Sequence, residues 1–98
     1  MLSEKQIESI KTIFNADGNI GKAWLFGSFA RNEETDDSDI DILFSFKEGR
    51  SFGFIRMTTI INKLEKSLNR KVELIKEGTL LPFASESVEK DKILIYGN

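Results

Sequence analysis

Cysteine and histidine are both missing from the 98 residues of this chain, which also has a single proline, one tryptophan and one tyrosine. The first two absences together exclude disulfides, thiolate zinc sites, Ser-His and Cys-His nucleophile pairs and imidazole acid-base chemistry. Any chemistry must therefore run on carboxylates, hydroxyls, Lys or Arg. No apolar run approaches the roughly 18 residues that a membrane-spanning helix needs, so no membrane partner is expected. The opening Met1-Leu2-Ser3-Glu4-Lys5 lacks the charged-then-apolar order of a signal peptide, and a cytoplasmic location follows as the expectation. Positive charge is not in excess either: 14 Lys and Arg stand against 16 Asp and Glu, for a net charge of -2. That balance argues against a nucleic-acid partner, which normally meets a basic stripe, but leaves room for an anionic substrate that arrives with its own divalent metal.

What is present reads as one domain, residues 1–98, of alternating helices and strands. Ser3 with Gln6 resembles a capping box, and Ile7, Ile10, Ile13 and Phe14 recur at helical spacing, predicting a helix from about Ser3 to Asn15. The cluster Asn15-Ala16-Asp17-Gly18-Asn19 stops it, and a short strand, Ala23-Trp24-Leu25-Phe26, ends at Gly27. Ser28 is a candidate start for a second helix. After the polar stretch Asn32 to Ser38, alternation places Ile40, Ile42, Phe44 and Phe46 on one face of a strand and Asp39, Asp41, Leu43 and Ser45 on the other. An amphipathic helix is predicted from about Ser51 to Asn69, then a strand at Lys71-Val72-Glu73-Leu74-Ile75. A short helix near Phe83 to Lys90, with Pro82 in its first turn, precedes a last strand at Ile93 to Tyr96. The strand, long helix, strand unit around residues 39 to 75 suggests a parallel crossover, so the fold class is α/β with a mixed sheet. Trp24 and Tyr96 are expected in the core or at its rim.

The pair Asp39 and Asp41 raises a physical question, because unpaired carboxylates are costly to bury and these two open an apolar strand. One reading is a hydrated strand start at the rim of the sheet. A second is calcium: counted from Asp37, acids fall at positions 1, 3, 5 and 12 (Asp37, Asp39, Asp41, Glu48), as in an EF-hand loop. That loop needs glycine at its sixth position, where this chain has Ile42, and the segment alternates like a strand. The third reading is a pair of magnesium ions. Residues two apart on a strand are separated by about 6.6 Å along the chain, so their side chains can converge on two metals about 3.5 to 4 Å apart. Magnesium takes few protein carboxylates and completes its octahedron with water and substrate phosphates. Gly27 and Ser28 suit the phosphate end: glycine lets the backbone approach closely, and Ser28 adds a hydroxyl and an amide. No Walker A loop is present, since Gly18 to Lys22 has the wrong glycine spacing and no Ser or Thr after Lys22.

Gly27-Ser28-Phe29-Ala30-Arg31 followed by Ser38-Asp39-Ile40-Asp41 resembles the signature of the DNA polymerase beta-like nucleotidyltransferases, in particular their minimal branch, whose members are about this short. The resemblance covers nearly the whole chain. It implies ATP or another nucleoside triphosphate, two magnesium ions, and transfer of a nucleoside monophosphate to a hydroxyl with release of pyrophosphate. It further implies a third carboxylate on a later strand, and Glu73 lies at the matching place, where the family more often has aspartate. Asn32 departs from the usual glycine after Ala-Arg, although Asn tolerates a left-handed backbone better than most residues. Arg31 has two readings, a contact to the triphosphate or a partner for the acids of Glu33 to Asp37.

On this resemblance Asp39, Asp41 and Glu73 are the catalytic and metal-binding set, and Gly27, Ser28 and Arg31 hold the nucleotide. Minimal nucleotidyltransferases commonly pair with a small helical HEPN ribonuclease toxin, which implies an antitoxin that adds AMP to a toxin tyrosine. The alternatives are a binding module that neutralises a partner without catalysis, or a nucleotidyltransferase acting on a small molecule or RNA.

Overall fold

In a computed structural model that describes residues 2–79 and 82–97, the expected capping box opens the first helix. The Ser3 backbone N–H donates to Gln6 Oε1 (2.9 Å), and the Gln6 N–H donates to Ser3 Oγ (3.1 Å). Two donors that helix geometry would leave unpaired are thereby satisfied. Helix α1 (Glu4–Asp17) ends where Gly18 adopts φ +80° and returns its N–H to the Phe14 carbonyl (3.1 Å). A left-handed residue is needed there, and glycine supplies it without steric cost. Ile10 and Phe14, both 0% exposed, form the buried stripe of the helix.

Strand β1 (Ile20–Phe26) begins three residues ahead of the expected Ala23. Its pairing with the next strand shifts register between Ile20 and Lys22. Gly21 lies in that bulge, where a Cβ would come within 3.3 Å of the Phe46 carbonyl oxygen and the Lys47 nitrogen. A bulge breaks the alternation from which a strand is read, and so hides the first part of β1.

The helix expected at Ser28 does not form. Instead the Ala30 and Arg31 N–H groups both donate to the Gly27 carbonyl (3.1 Å each), Asn32 N–H donates to Phe29 (3.4 Å), and Glu33 N–H donates to Ser28 (2.9 Å). These bonds close a compact turn. It cannot propagate, because Asn32 takes φ +58° and the acidic residues after it offer no apolar stripe to bury.

Strand β2 (Ile40–Phe46) runs antiparallel to β1, and α2 (Phe54–Leu68) then carries the chain to β3 (Val72–Lys76), which is parallel to β2. The predicted crossover is therefore present. Helix α2 starts at Phe54 rather than Ser51 because Phe52 is held against the sheet, its ring 4.8 Å from that of Phe46 and 5.8 Å from that of Phe44. Helix α3 (Pro82–Asp91) and β4 (Ile93–Tyr96) follow, with β4 antiparallel to β1. The strand order is β3-β2-β1-β4, a mixed sheet as expected.

Helices α1 and α2 join one face of this sheet in a single apolar cluster, with Ile60, Leu64 and Leu68 of α2 against Ile40, Ile42 and Phe44 of β2. An ion pair ties the two helices: Arg56 Nε lies 2.7 Å from Asp17 Oδ1, whose side chain is only 3% exposed, and Asp17 also accepts from Asn19 N–H (3.1 Å). Tyr96 stands edge-on to Phe14, 5.6 Å between ring centres, which puts it at the rim of the core. Among the described residues no helix is long and apolar enough to cross a membrane.

Leu64 is fully buried between α2 and the sheet. Leu64→Ala is expected to lower the unfolding free energy by about 3 kcal/mol in denaturant titration, from lost transfer energy plus the cavity. A loss below about 1 kcal/mol would contradict the packing of α2 on the sheet.

Candidate active site

Three strand ends meet at one edge of the sheet: the finish of β1 and the starts of β2 and β3. In the antiparallel pair Asp41 stands opposite Phe26, and in the parallel pair it stands opposite Glu73. Asp41 is thus flanked by the residue before Gly27 on one side and by Glu73 on the other. Gly27 has φ +73°, and a Cβ built there would collide with Asp41 Oδ2. Both the backbone and the space require glycine at this position.

Glu73 lies close enough to Asp41 to act on its carboxyl by hydrogen bonding and by charge. The Asp41 carboxyl is pushed up from 3.8 to about 6, first by burial, then by the hydrogen bond and charge of Glu73 and the charge of Asp39, with Arg31 opposing. Asp39 lies one residue ahead of β2 and is exposed. Among the described residues no three carboxylates converge into a ready metal cage. The structure therefore brings Asp41, Glu73 and Gly27 together and leaves Asp39 beside them, with its carboxylate turned to no protein partner among the described residues.

Ser28 follows Gly27 in the turn, and its hydroxyl has no hydrogen-bond partner among the described residues. Its backbone N–H and that of Phe29 likewise donate to no carbonyl of those turn bonds. Asn32 adopts the left-handed conformation that its side chain tolerates. Arg31 does pair with an acid of the following stretch: its Nε lies 2.9 Å from Glu33 Oε1. It also reaches a group that sequence proximity does not reveal, Asp91 Oδ2 at the end of α3, at 3.4 Å. Trp24 sits one residue pair further along β1, with Lys92 Nζ 4.5 Å from its ring centre.

Sequence reasoning missed Arg70. One of its terminal nitrogens donates to the carbonyls of Thr35 (2.9 Å), Asp36 (3.2 Å) and Ser38 (2.8 Å), while its guanidinium carbon lies 4.9 Å from the centre of the Phe29 ring. An open polar cleft of about 390 Å³ lies beside it, lined by Asp36 to Asp39 and Asn69 to Lys71. The only signal in the sequence was a basic residue between the end of a helix and the start of a strand.

The donor set suits a hard divalent cation. It consists of carboxylate oxygens alone, and the raised pKa of Asp41 is a cost that a bound cation would offset.

A mixed sheet with a Gly-Ser turn after one strand and carboxylates at the start of the next two is the layout of a nucleotidyltransferase fold. The chain matches the family described as Polymerase beta, Nucleotidyltransferase over residues 8–98, and it belongs to that family. A Methanocaldococcus jannaschii relative, provisionally named a protein adenylyltransferase, is 43% identical over 72 residues, 72% of each chain. Protein adenylyltransferase MntA of Thermococcus cleftensis is 28% identical over 99 aligned positions, covering 97% of this chain and 98% of that one. A solved complex of tri-AMPylated Shewanella oneidensis HEPN toxin with MNT antitoxin holds a chain of like fold, with a TM-score of 0.71 at 18% identity, covering 95% of this chain and 71% of that one.

Two outcomes follow from the geometry. Gly27→Ala must both strain the backbone and displace Asp41, so it is expected to cost about 1–3 kcal/mol of stability in denaturant titration. Wild-type stability in that variant would contradict the close approach. The second concerns pH. Because the folded-state pKa of Asp41 is raised above 3.8 to about 6, its contribution to stability is fully present below 3.8 and is lost as pH rises through about 6. At full strength the loss would be about 3 kcal/mol, and water at this half-exposed position reduces it to about 1–2. In EDTA, Asp41→Asn is therefore expected to be more stable than wild type at pH 8 and to lose that advantage near pH 4. A pH-independent difference between the two proteins would refute the assignment.

Proposed function

We propose that this chain is a magnesium-dependent protein adenylyltransferase that transfers AMP from ATP to a hydroxyl, most plainly a tyrosine of a partner HEPN ribonuclease toxin, and so acts as an antitoxin. The observation that carries the reading is the register pair Asp41 and Glu73 facing the Gly27 turn. The names of the relatives support adenylyl transfer, and the AMPylated toxin bound to an MNT antitoxin of like fold supports the class of acceptor.

Asp39, Asp41 and Glu73 would hold two magnesium ions. When bound, these ions supply charge neutralisation for the phosphates and for the attacking and leaving oxygens. Asp39, exposed at the strand start, has the freedom to turn its carboxylate toward Asp41. The Gly27-Ser28 turn holds the outer phosphates with the Ser28 hydroxyl and unengaged backbone N–H groups. Arg31 exchanges its exposed pairing with Glu33 for a phosphate at little cost, because water already screens that pair.

The acceptor oxygen bonds to the α-phosphorus, the bond from that phosphorus to the β-bridging oxygen breaks, and pyrophosphate leaves. The hydroxyl proton passes to Glu73. Positioning and charge stabilisation carry such a reaction without an imidazole. The net charge of -2 argues against a nucleic-acid partner, and a chain free of cysteine suits the cytoplasm as its place of work.

The test is transfer of label from α-labelled ATP to a candidate HEPN toxin in magnesium. Wild type is expected to add AMP, and EDTA to abolish the addition. The Asp39→Asn, Asp41→Asn double variant is expected to lose at least about a hundredfold in rate, and Glu73→Gln a comparable factor. Undiminished transfer by the double variant would sink the site assignment. Toxin inhibition with no added mass would instead identify a binding module.

A further inference from the structure

Between the Gly27-Ser28 turn and Asp39 the chain has neither helix nor strand, yet both ends of this stretch must be held to a fraction of an ångström if they are to meet one triphosphate. Near its start Arg31 pairs with Asp91 of α3 at 3.4 Å. Thr35 N–H donates to Ser38 Oγ (2.8 Å) and Ser38 N–H donates to the Thr35 carbonyl (3.1 Å), a local closure that does not reach the sheet.

We propose that Arg70 is the positioning residue that fixes the two halves of the site relative to each other, an inference that rests on the nucleotidyltransferase reading above. Its guanidinium touches the immediate neighbour of each half. On one side it stacks over Phe29, which is 5% exposed and follows Ser28 directly. On the other it holds the carbonyl of Ser38, which precedes Asp39 directly. The next residue completes the clamp: the Lys71 carbonyl accepts from Ile40 N–H at 2.9 Å. The backbone is thus tied on both sides of Asp39, from two consecutive residues.

The placement of Arg70 follows from the fold. Asn69 ends α2 in the left-handed conformation (φ +52°), and β3 begins at Val72, so Arg70 is delivered to the site end of the sheet by the same crossover that delivers Glu73. Arginine suits the task because its planar cation can lie on an aromatic face while its N–H groups, in the same plane, bond to carbonyls. A lysine ammonium keeps the charge and three donors but has no plane to stack and no fork.

Arg70→Lys, made in the full chain, separates positioning from charge. Expected is a fall in kcat of about tenfold or more, with the KM for ATP within about threefold of wild type and the thermal midpoint nearly unchanged. Affinity for Mn²⁺, titrated as a magnesium substitute in the absence of nucleotide, is expected to weaken several-fold because Asp39 is no longer held. A kcat within twofold of wild type overturns the proposal, as does an activity loss that a drop in thermal stability accounts for. If wild type transfers no AMP at all, the proposed function fails, and the Mn²⁺ titration alone decides on Arg70: weakened binding supports the clamp and unchanged binding overturns it. Arg70→Met, the more severe change, is expected to show the same effects enlarged, and should it not fold, Arg70→Lys decides.

Discussion

Two carboxyl groups directly opposite each other on neighbouring strands repel, and a sheet left to itself would not choose that register. Here Asp41 faces Glu73 because the apolar side of the same strands has no alternative. Ile40, Ile42 and Phe44 of β2 and Val72 and Leu74 of β3 must all turn toward α1 and α2, and a slip of one residue would expose every one of them. Burial of Ile60, Leu64 and Leu68 from α2 alone is worth on the order of 2 kcal/mol each, against about 1–2 kcal/mol for the carboxylate pair. The hydrophobic layer wins, and the acidic pair is imposed on the opposite face.

The same economy places the remaining parts. The antiparallel register that sets Phe26 beside Asp41 puts Gly27 just past the pair, where the chain must turn without a Cβ. From that turn Arg31 reaches across to Asp91, and Lys92 covers Trp24, so the end of α3 and the start of β4 are anchored to the same corner. Among the described residues, the long-range contacts of Arg31 and Arg70 at this end of the sheet come from positions close to Gly27 and Glu73. At the other end, where α2 begins, Phe54 and Ile55 stand exposed on a helix start without a side-chain cap.

The legibility of these features follows from their physical range. Asp39 and Asp41 stand out because a period of two is visible over five residues, Glu73 is marked only by the family resemblance, and the crossover is legible because the stripe of α2 spans four turns. Gly18 and Ser3 announced α1 through interactions no longer than four residues. The first part of β1 was hidden by the Gly21 bulge, the start of α2 by the packing of Phe52, and the turn after Ser28 by its likeness to a helix start. Arg70 and Asp91 act across 32 to 60 residues of sequence, and nothing in a single chain's pattern marks such a partner.

A chain without histidine still holds a group that titrates near neutrality. Asp41 is pushed up to about 6, first by burial and then by the neighbouring Glu73 and Asp39, so it can release its proton or keep it with small changes in its surroundings. Imidazole usually fills that range, and here one carboxyl does so because burial and the carboxylates beside it disfavour its charged form. A divalent cation would resolve the same conflict by compensating both charges at once. On the metal reading a proton and a cation would compete for one geometry, and the apolar layer behind the sheet, which enforces that geometry, would poise Asp41 between them.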